Sequence, residues 1–290
     1  MSVNIIRERE QLAGGHQAVR KELNKLLEYG NVDVPMLPEH AARVVSMANR
    51  PDCDVQMLAR MIEFDQSLAA RVMKVARSAA YESSSPINSL QHAISWLGMG
   101  EISDIAFTAA AQGRLLNVPG QRPRAVHMWK VAVASAIWSR EIAAIARRYS
   151  EITYLCGLLH DIGKPIALMA SADLAGKLGV RLTDEDYEVL INEYHGPLGA
   201  VLAEKWRLPE AVAVCIRCWP DWTTAQEYAE EVPVVHLAHH LAELVLEQGP
   251  SIARETLADS PVLEALNIGP DRFKGLLDRA RWVMDQVHAY

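Results

Sequence analysis

The run Gly157–Lys164 holds the residues of this sequence with the clearest chemical potential, because His160 stands directly before Asp161. A neutral imidazole beside a carboxylate suits a divalent metal ion. The apolar residues Leu158 and Leu159 predict a buried helix, so we expect the pair at the edge of a dry pocket. Two ligands do not make a metal centre, and the surrounding elements must supply the others.

Apolar residues recur at helical spacing through almost the whole chain, and no segment has clean period-two alternation. The sequence therefore predicts an all-α fold. Asp54, Asp65 and Ser89 stand where helix N-caps are expected, and the acidic segment 182–186 is typical of a helix start. The segment 127–148 predicts one long helix that leads to the His-Asp run.

Two prolines and a glycine within residues 117–123 mark the best boundary along the chain. We expect two helical subdomains that meet near residues 117–126. Residues 1–120 form the N-terminal helical subdomain, and residues 121–290 form the second subdomain with the C-terminal helices.

Composition excludes several function classes. The 29 basic and 36 acidic residues give a net charge of −7, which makes nucleic acid an unlikely partner. DNA binding through the helices of residues 87–107 is weakened further by their few basic residues. No apolar stretch approaches a membrane span, and residues 1–12 lack the apolar core of a secretory signal.

The four cysteines lie scattered in mostly apolar surroundings and indicate a reducing, cytoplasmic setting. Cys215 and Cys218 have CxxC spacing without a second cysteine pair. Two half-buried thiols are therefore favoured there over a metal or redox site.

Taken in order, a set of short segments resembles the HDOD family, the HD-related output domains of bacterial signalling proteins. The resemblance covers roughly residues 30–245, and its first matching segment is Leu37-Pro38. The other matching positions are Trp129 and the segments 65–68, 71–76, 87–98, 157–163, 195–199 and 202–209. It implies an N-terminal helical bundle, beginning near residue 30, packed on an HD-domain-like helical bundle.

The related catalytic HD phosphohydrolases hold one or two metals with a His, a His-Asp pair and a distant Asp. Against that pattern, Val131 stands where the first His is expected, two residues after Trp129, and His239 replaces the distant Asp. The later His-rich stretch reads Ile216-Arg-Cys-Trp-Pro220. The resemblance thus leaves an incomplete set of metal ligands that could hold at most one divalent ion: His160, Asp161, His195 and His239.

In the alternative interpretation these residues have a structural role. This interpretation is favoured because a metal site that loses one of its ligands usually loses its function. Asp161 then accepts backbone N–H groups or pairs with Lys164, and His160 is a hydrogen-bonded core histidine. Lys164 could instead contact a phosphate as a point charge. His195 either reaches the pocket or, as slightly favoured, ends a helix with its charge on the C-terminal dipole.

Two further features bear on the pocket. His239 and His240 are adjacent on a helix, so one should face inward and the other solvent. Trp219 and Trp222 are expected on a loop, where they either contact a partner or ligand or pack against the bundle.

The sequence therefore predicts a catalytically degenerate HDOD-type signal-transduction protein that acts by binding a signalling partner or a small-molecule ligand. The alternative is a metal-dependent HD-type phosphohydrolase acting on a nucleotide or cyclic dinucleotide. An intact enzyme of that class should carry histidines at the positions of Val131 and of Cys218-Trp219.

Overall fold

The computed structural model describes residues 2–30, 32–33, 35, 39–48, 50, 52–78, 81, 86–116, 118–148, 152–228, 230–246 and 256–289. This part of the chain is built from helices and contains no strand, which confirms the all-α prediction. None of its helices is both long and apolar enough to cross a membrane. Leu37-Pro38 and Asn117 lie outside the described residues.

The helices of the first 120 residues are α1 (Ser2–Glu28), α2 (Glu39–Ala48), α3 (Val55–Glu63), α4 (Gln66–Ala76), α5 (Leu90–Leu97) and α6 (Met99–Leu115). Those that follow are α7 (Arg122–Ala146), α8 (Thr153–Leu159), α9 (Gly163–Leu178), α10 (Asp184–Lys205), α11 (Glu210–Cys218), α12 (Glu231–Leu246), α13 (Pro261–Ala265), α14 (Pro270–Asp278) and α15 (Ala280–Ala289). A short 3₁₀ helix, Trp219–Thr224, joins α11 to the segment before α12.

The predicted N-caps are present. The Asp54 carboxylate accepts a hydrogen bond from the Met57 backbone N–H at 2.6 Å, and Asp65 and Ser89 cap α4 and α5 in the same way. Thr183 opens α10 with a reciprocal capping box, in which its hydroxyl and the Asp186 carboxylate each accept a backbone N–H.

The helices around the His-Asp pair pack in two groups. Helix α7 lies against α8 and α12, while α9 lies along α10. Helix α1 packs on α9 and α10, where Arg20 pairs with Glu193 at 2.6 Å and the Tyr194 hydroxyl donates to Asn24 at 2.7 Å. The first helix is thus attached to elements of the second half, and the boundary expected near residue 120 stays a prediction.

Two glycines set how closely the helices approach one another at the pair. A Cβ on Gly157 would lie 2.7 Å from the Ser135 carbonyl oxygen of α7. A Cβ on Gly163 would overlap the His195 carbonyl oxygen of α10. Since His160 and Asp161 lie between these two contacts, close backbone packing on both sides fixes the position of the pair.

Two local predictions are wrong. The helical spacing of apolar residues from Asp271 onward predicts one last helix that ends at Tyr290. The chain instead turns at Arg279, whose guanidinium pairs with Glu141 of α7. The segment Trp219–Trp222 was expected as a loop, but it forms a short 3₁₀ helix with a kink at Asp221. The alternative in which the indole packs against the bundle holds for Trp219, which is buried against the His160 ring.

Candidate functional site

Three of the predicted metal ligands meet at one point. His160 ends α8, Asp161 follows it before α9, and His239 projects from the middle of α12. One ligand atom of each lies within 4.8 Å of the other two. His160 and His239 are 1% and 3% exposed, so the imidazoles lie in the protein interior.

A chain of hydrogen bonds fixes the protons on the two imidazoles. The Gly157 carbonyl can only accept, so His160 Nδ1 donates to it at 2.7 Å. Burial, and then the neighbouring His239, lowers the pKa of His160 well below its usual value, so its ring is neutral. His160 Nε2 is therefore the acceptor of a 2.8 Å hydrogen bond from His239 Nδ1.

Glu243 completes this chain on α12. Its Oε1 lies 3.1 Å from His239 Nε2. The imidazoles of His239 and then of His240 hold the pKa of Glu243 well below its usual range, so the carboxylate is ionised. The carboxylate thus lies against His239 Nε2, while Nδ1 of the same ring faces His160. Both nitrogens of each imidazole thereby face a polar partner within the protein.

Asp161 has a different partner. Its Oδ2 lies 2.5 Å from the Lys164 ammonium, one turn along the chain, and that ammonium also lies 5.5 Å from the centre of the Trp219 ring. Burial raises the pKa of Asp161, and the charge of Lys164 opposes that shift. The other oxygen, Oδ1, is buried and has no hydrogen-bond partner within the described residues.

Trp219 closes the cluster from the side of α11. Its ring lies 4.8 Å from that of His160 and 4.1 Å from that of His239. The indole thus lies where the family resemblance leads one to expect a histidine. It provides a flat apolar wall that also attracts the Lys164 ammonium.

A cleft of about 420 Å³ opens beside Asp161, between α7, α9, α10 and α12. Its inner wall is apolar and includes Met128, Trp129 and Val131, and its charged lining residues are Arg124, Asp161, Lys164, Glu188 and Glu243, with His127 beside them. A volume of this size is within the range of small-molecule sites.

The structure does not bring His195 into the three-residue group. The favoured prediction that it ends a helix is wrong, because α10 continues past Gly196-Pro197 to Lys205. Its Nδ1 instead donates to the Asn192 carbonyl at 2.9 Å, within the same helix.

The adjacent histidines of α12 are divided as predicted, with His239 buried and His240 partly exposed at the surface. Sequence reasoning missed Glu243, although its position four residues after His239 places the two side chains on one helix face. It also missed the role of Trp219, for which the sequence offers no periodic signal.

The cysteines show no grouping with metal-ligating residues in the described part of the chain. Cys218 is half-buried, as the CxxC interpretation predicted, whereas Cys215 is fully buried. A hydrogen bond with the Cys156 thiol, together with burial, raises the pKa of Cys215, so its thiol stays protonated.

The HDOD domain family model matches residues 34–221. The chain belongs to the HDOD family. An uncharacterized protein of Treponema pallidum (strain Nichols) is 22% identical to this HDOD chain over 216 residues, which are 71% of the chain and 42% of that protein. The chain therefore spans less than half the length of that curated relative.

Solved structures share the fold at low identity. A protein of Shewanella amazonensis SB2B, provisionally named a metal-dependent phosphohydrolase, matches with a TM-score of 0.74 and 22% identity, over 95% of this chain and 100% of its own. A protein of Marinobacter aquaeolei VT8, provisionally named a signal transduction protein, matches with a TM-score of 0.64 and 22% identity, over 94% of this chain and 66% of its own. At these identities the likeness shows the fold.

The donor set fits one divalent ion and not two. Among the described residues, the buried Asp161 Oδ1 has no hydrogen-bond partner, and His160 and His239 offer nitrogen atoms close to it. Val131 supplies no ligand, and its apolar side chain lines the cleft instead. An ion would have to compete with the Lys164 ammonium and with the bond between the two imidazoles.

Proposed function

We propose that this chain is a catalytically degenerate HDOD signalling protein that binds a signalling partner or a small ligand and does not turn over a substrate. One observation carries the proposal: the two histidines of the metal-binding pattern bond to one another, and Asp161 pairs with a lysine. His160, His239 and Glu243 form a hydrogen-bonded chain, and Lys164 supplies the positive charge beside Asp161.

The cleft supports binding at this place. It has an apolar wall for a hydrophobic body and separate cationic and anionic groups, such as Arg124 and Glu188, that could orient a polar ligand. Lys164 remains the proposed contact for a phosphate or another anion. A reducing, cytoplasmic setting forms part of the proposal and is supported by the four free cysteines.

The second candidate is a metal-dependent phosphohydrolase acting on a nucleotide or cyclic dinucleotide. The unpartnered Asp161 Oδ1 favours it, since a single ion held by His160, Asp161 and His239 would satisfy that atom. Bound there, a divalent ion would supply an acidified water and a positive charge for a phosphate. The residues of this chain would then hold the ion and keep the pocket dry.

Hydrolysis assays separate the two functions. The purified protein is incubated with bis(p-nitrophenyl) phosphate and with a cyclic dinucleotide, in the presence of Mn²⁺, Fe²⁺ or Ni²⁺. We expect no turnover near the median enzyme rate of about 10 s⁻¹. Turnover at that rate, lost in Asp161→Asn, would establish the phosphohydrolase and overturn the proposal.

Val131→His provides a matched variant, because it returns an imidazole to the position where the family pattern has one. Val131 lines the cleft beside Asp161, so the new side chain can reach the pocket. If the missing ligand is what prevents metal binding, this variant should bind Mn²⁺ or Ni²⁺ more tightly than the parent in calorimetry. Equal affinities would show that the loss of the first ligand is not the cause.

A further inference from the structure

A second group of imidazoles lies on the outer side of α12, apart from the buried cluster. His236 and His240 are four residues apart, so their side chains share one face of the helix. Their rings lie 4.7 Å apart and nearly perpendicular, at 79°. Both are partly exposed, so solvent reaches the pair.

The His236 ring is already oriented. Its Nδ1 donates to the Trp219 backbone carbonyl at 2.8 Å, which fixes the tautomer and leaves Nε2 as the basic nitrogen. Metal-binding histidines are commonly held by this kind of bond from the other ring nitrogen to a carbonyl. The His236 imidazole is thus arranged as a ligand before any ion arrives.

The charge beside the pair is negative. Glu243 Oε2 lies 3.8 Å from His240 Nδ1, one turn further along α12. Two imidazoles beside a carboxylate form an environment that attracts a divalent cation.

We propose that His236 and His240 form a surface site for a borderline transition-metal ion such as Zn²⁺, Ni²⁺ or Cu²⁺. The two imidazoles are the protein ligands, and water completes the coordination shell. Imidazole nitrogen is a preferred donor for these ions, whereas Mg²⁺ and Ca²⁺ prefer oxygen. This site is separate from the group of His160, Asp161 and His239, whose ligands lie in the interior.

The test is calorimetric titration of the whole protein with Zn²⁺ and with Ni²⁺. His240→Gln is the main variant, since His240 is partly exposed and its loss should leave the fold intact. We expect the affinity for Zn²⁺ and Ni²⁺ to fall by about 10-fold or more, because losing a metal ligand should lower affinity at least as much as losing a group that hydrogen-bonds to a ligand. His236→Gln should give the same loss, and Mg²⁺ should not compete.

Two controls make the outcome decisive. His288→Gln removes an exposed histidine of α15 and should leave the affinity unchanged. Asp161→Asn removes a donor of the buried group and should also leave it unchanged. Ion binding that survives His240→Gln but is lost in Asp161→Asn would assign the ion to the interior and overturn the proposal, as would the absence of Zn²⁺ and Ni²⁺ binding by the parent protein.

Discussion

Replacing Lys164 by methionine tests directly whether its ammonium is the internal counter-charge of the pocket. Methionine keeps much of the side-chain volume and removes the charge, so the Asp161 carboxylate, whose side chain is 10% exposed, loses the ion pair at 2.5 Å. Breaking a fully buried pair costs about 3–5 kcal/mol. Because the Lys164 side chain is 25% exposed, we reduce the expected loss to about 2–3 kcal/mol.

Thermal unfolding measures this loss. With an unfolding entropy of about 2.1 cal/mol/K per residue, a chain of this length has roughly 0.6 kcal/mol/K, so the melting temperature should fall by about 4 °C. The double variant Lys164→Met with Asp161→Asn should regain much of the loss, since no unpaired charge remains. Lys177→Met is the control: its pair with Asp173 is well exposed and should contribute less than about 1 kcal/mol.

The same variant should also change metal binding. Without the competing ammonium, both oxygens of Asp161 are available, and we expect Zn²⁺ or Mn²⁺ to bind the Lys164→Met protein more tightly than the parent. A melting temperature equal to that of the parent, together with unchanged ion affinity, would refute the role assigned to Lys164.

Three other predictions concern the stability of the fold. Burial raises the pKa of Asp104 to about 7, so the folded state holds the proton of this carboxyl more tightly than the unfolded state does. The free energy of unfolding should therefore fall by up to about 4 kcal/mol as pH rises from 4 to 8. In denaturant titrations, Asp104→Asn should flatten this pH profile. Gly163→Ala should lower the free energy of unfolding by more than about 3 kcal/mol, because the new methyl group would overlap the His195 carbonyl oxygen. Gly176→Ala is its control: a Cβ there meets nothing within 4 Å, so this variant should be slightly more stable than the parent in the same assay. His160→Ala removes both hydrogen bonds of a buried ring and should cost about 3 kcal/mol or more by calorimetry; an unchanged melting temperature would contradict its structural role.

Local sequence signals account for most of the helices and many of their ends. The caps at Asp54, Asp65 and Ser89 were predictable because a side-chain acceptor satisfies N–H groups only a few residues away. The all-α class followed from the spacing of apolar residues, and the family from an ordered set of short segments. The helical segment Trp219–Thr224 was missed because packing of its first indole on two buried imidazoles overrides the local turn signal.

The sequence also predicted which residues lie in the pocket, but it did not decide which of them pair with one another. His160, Asp161 and His239 were recognisable as donors, and pairing of Asp161 with Lys164 remained one of two alternatives. Only the tertiary structure sets His239 at hydrogen-bond distance from His160, and only it keeps His195 in the interior of α10, outside their group. Those relations depend on how α8, α10 and α12 approach one another, which no spacing along one helix encodes.

The physical reason lies in the range of the interactions. Periodicity and capping are properties of neighbouring residues, so the sequence determines them by itself. Whether a histidine binds a metal or another histidine depends on contacts across 79 residues of chain and on burial that lowers the pKa of His160. Trp219 and His239 pack against the His160 ring, and close helix packing at Gly157 and Gly163 holds the pair in place. The tertiary structure therefore decides the chemistry available to the His-Asp pair.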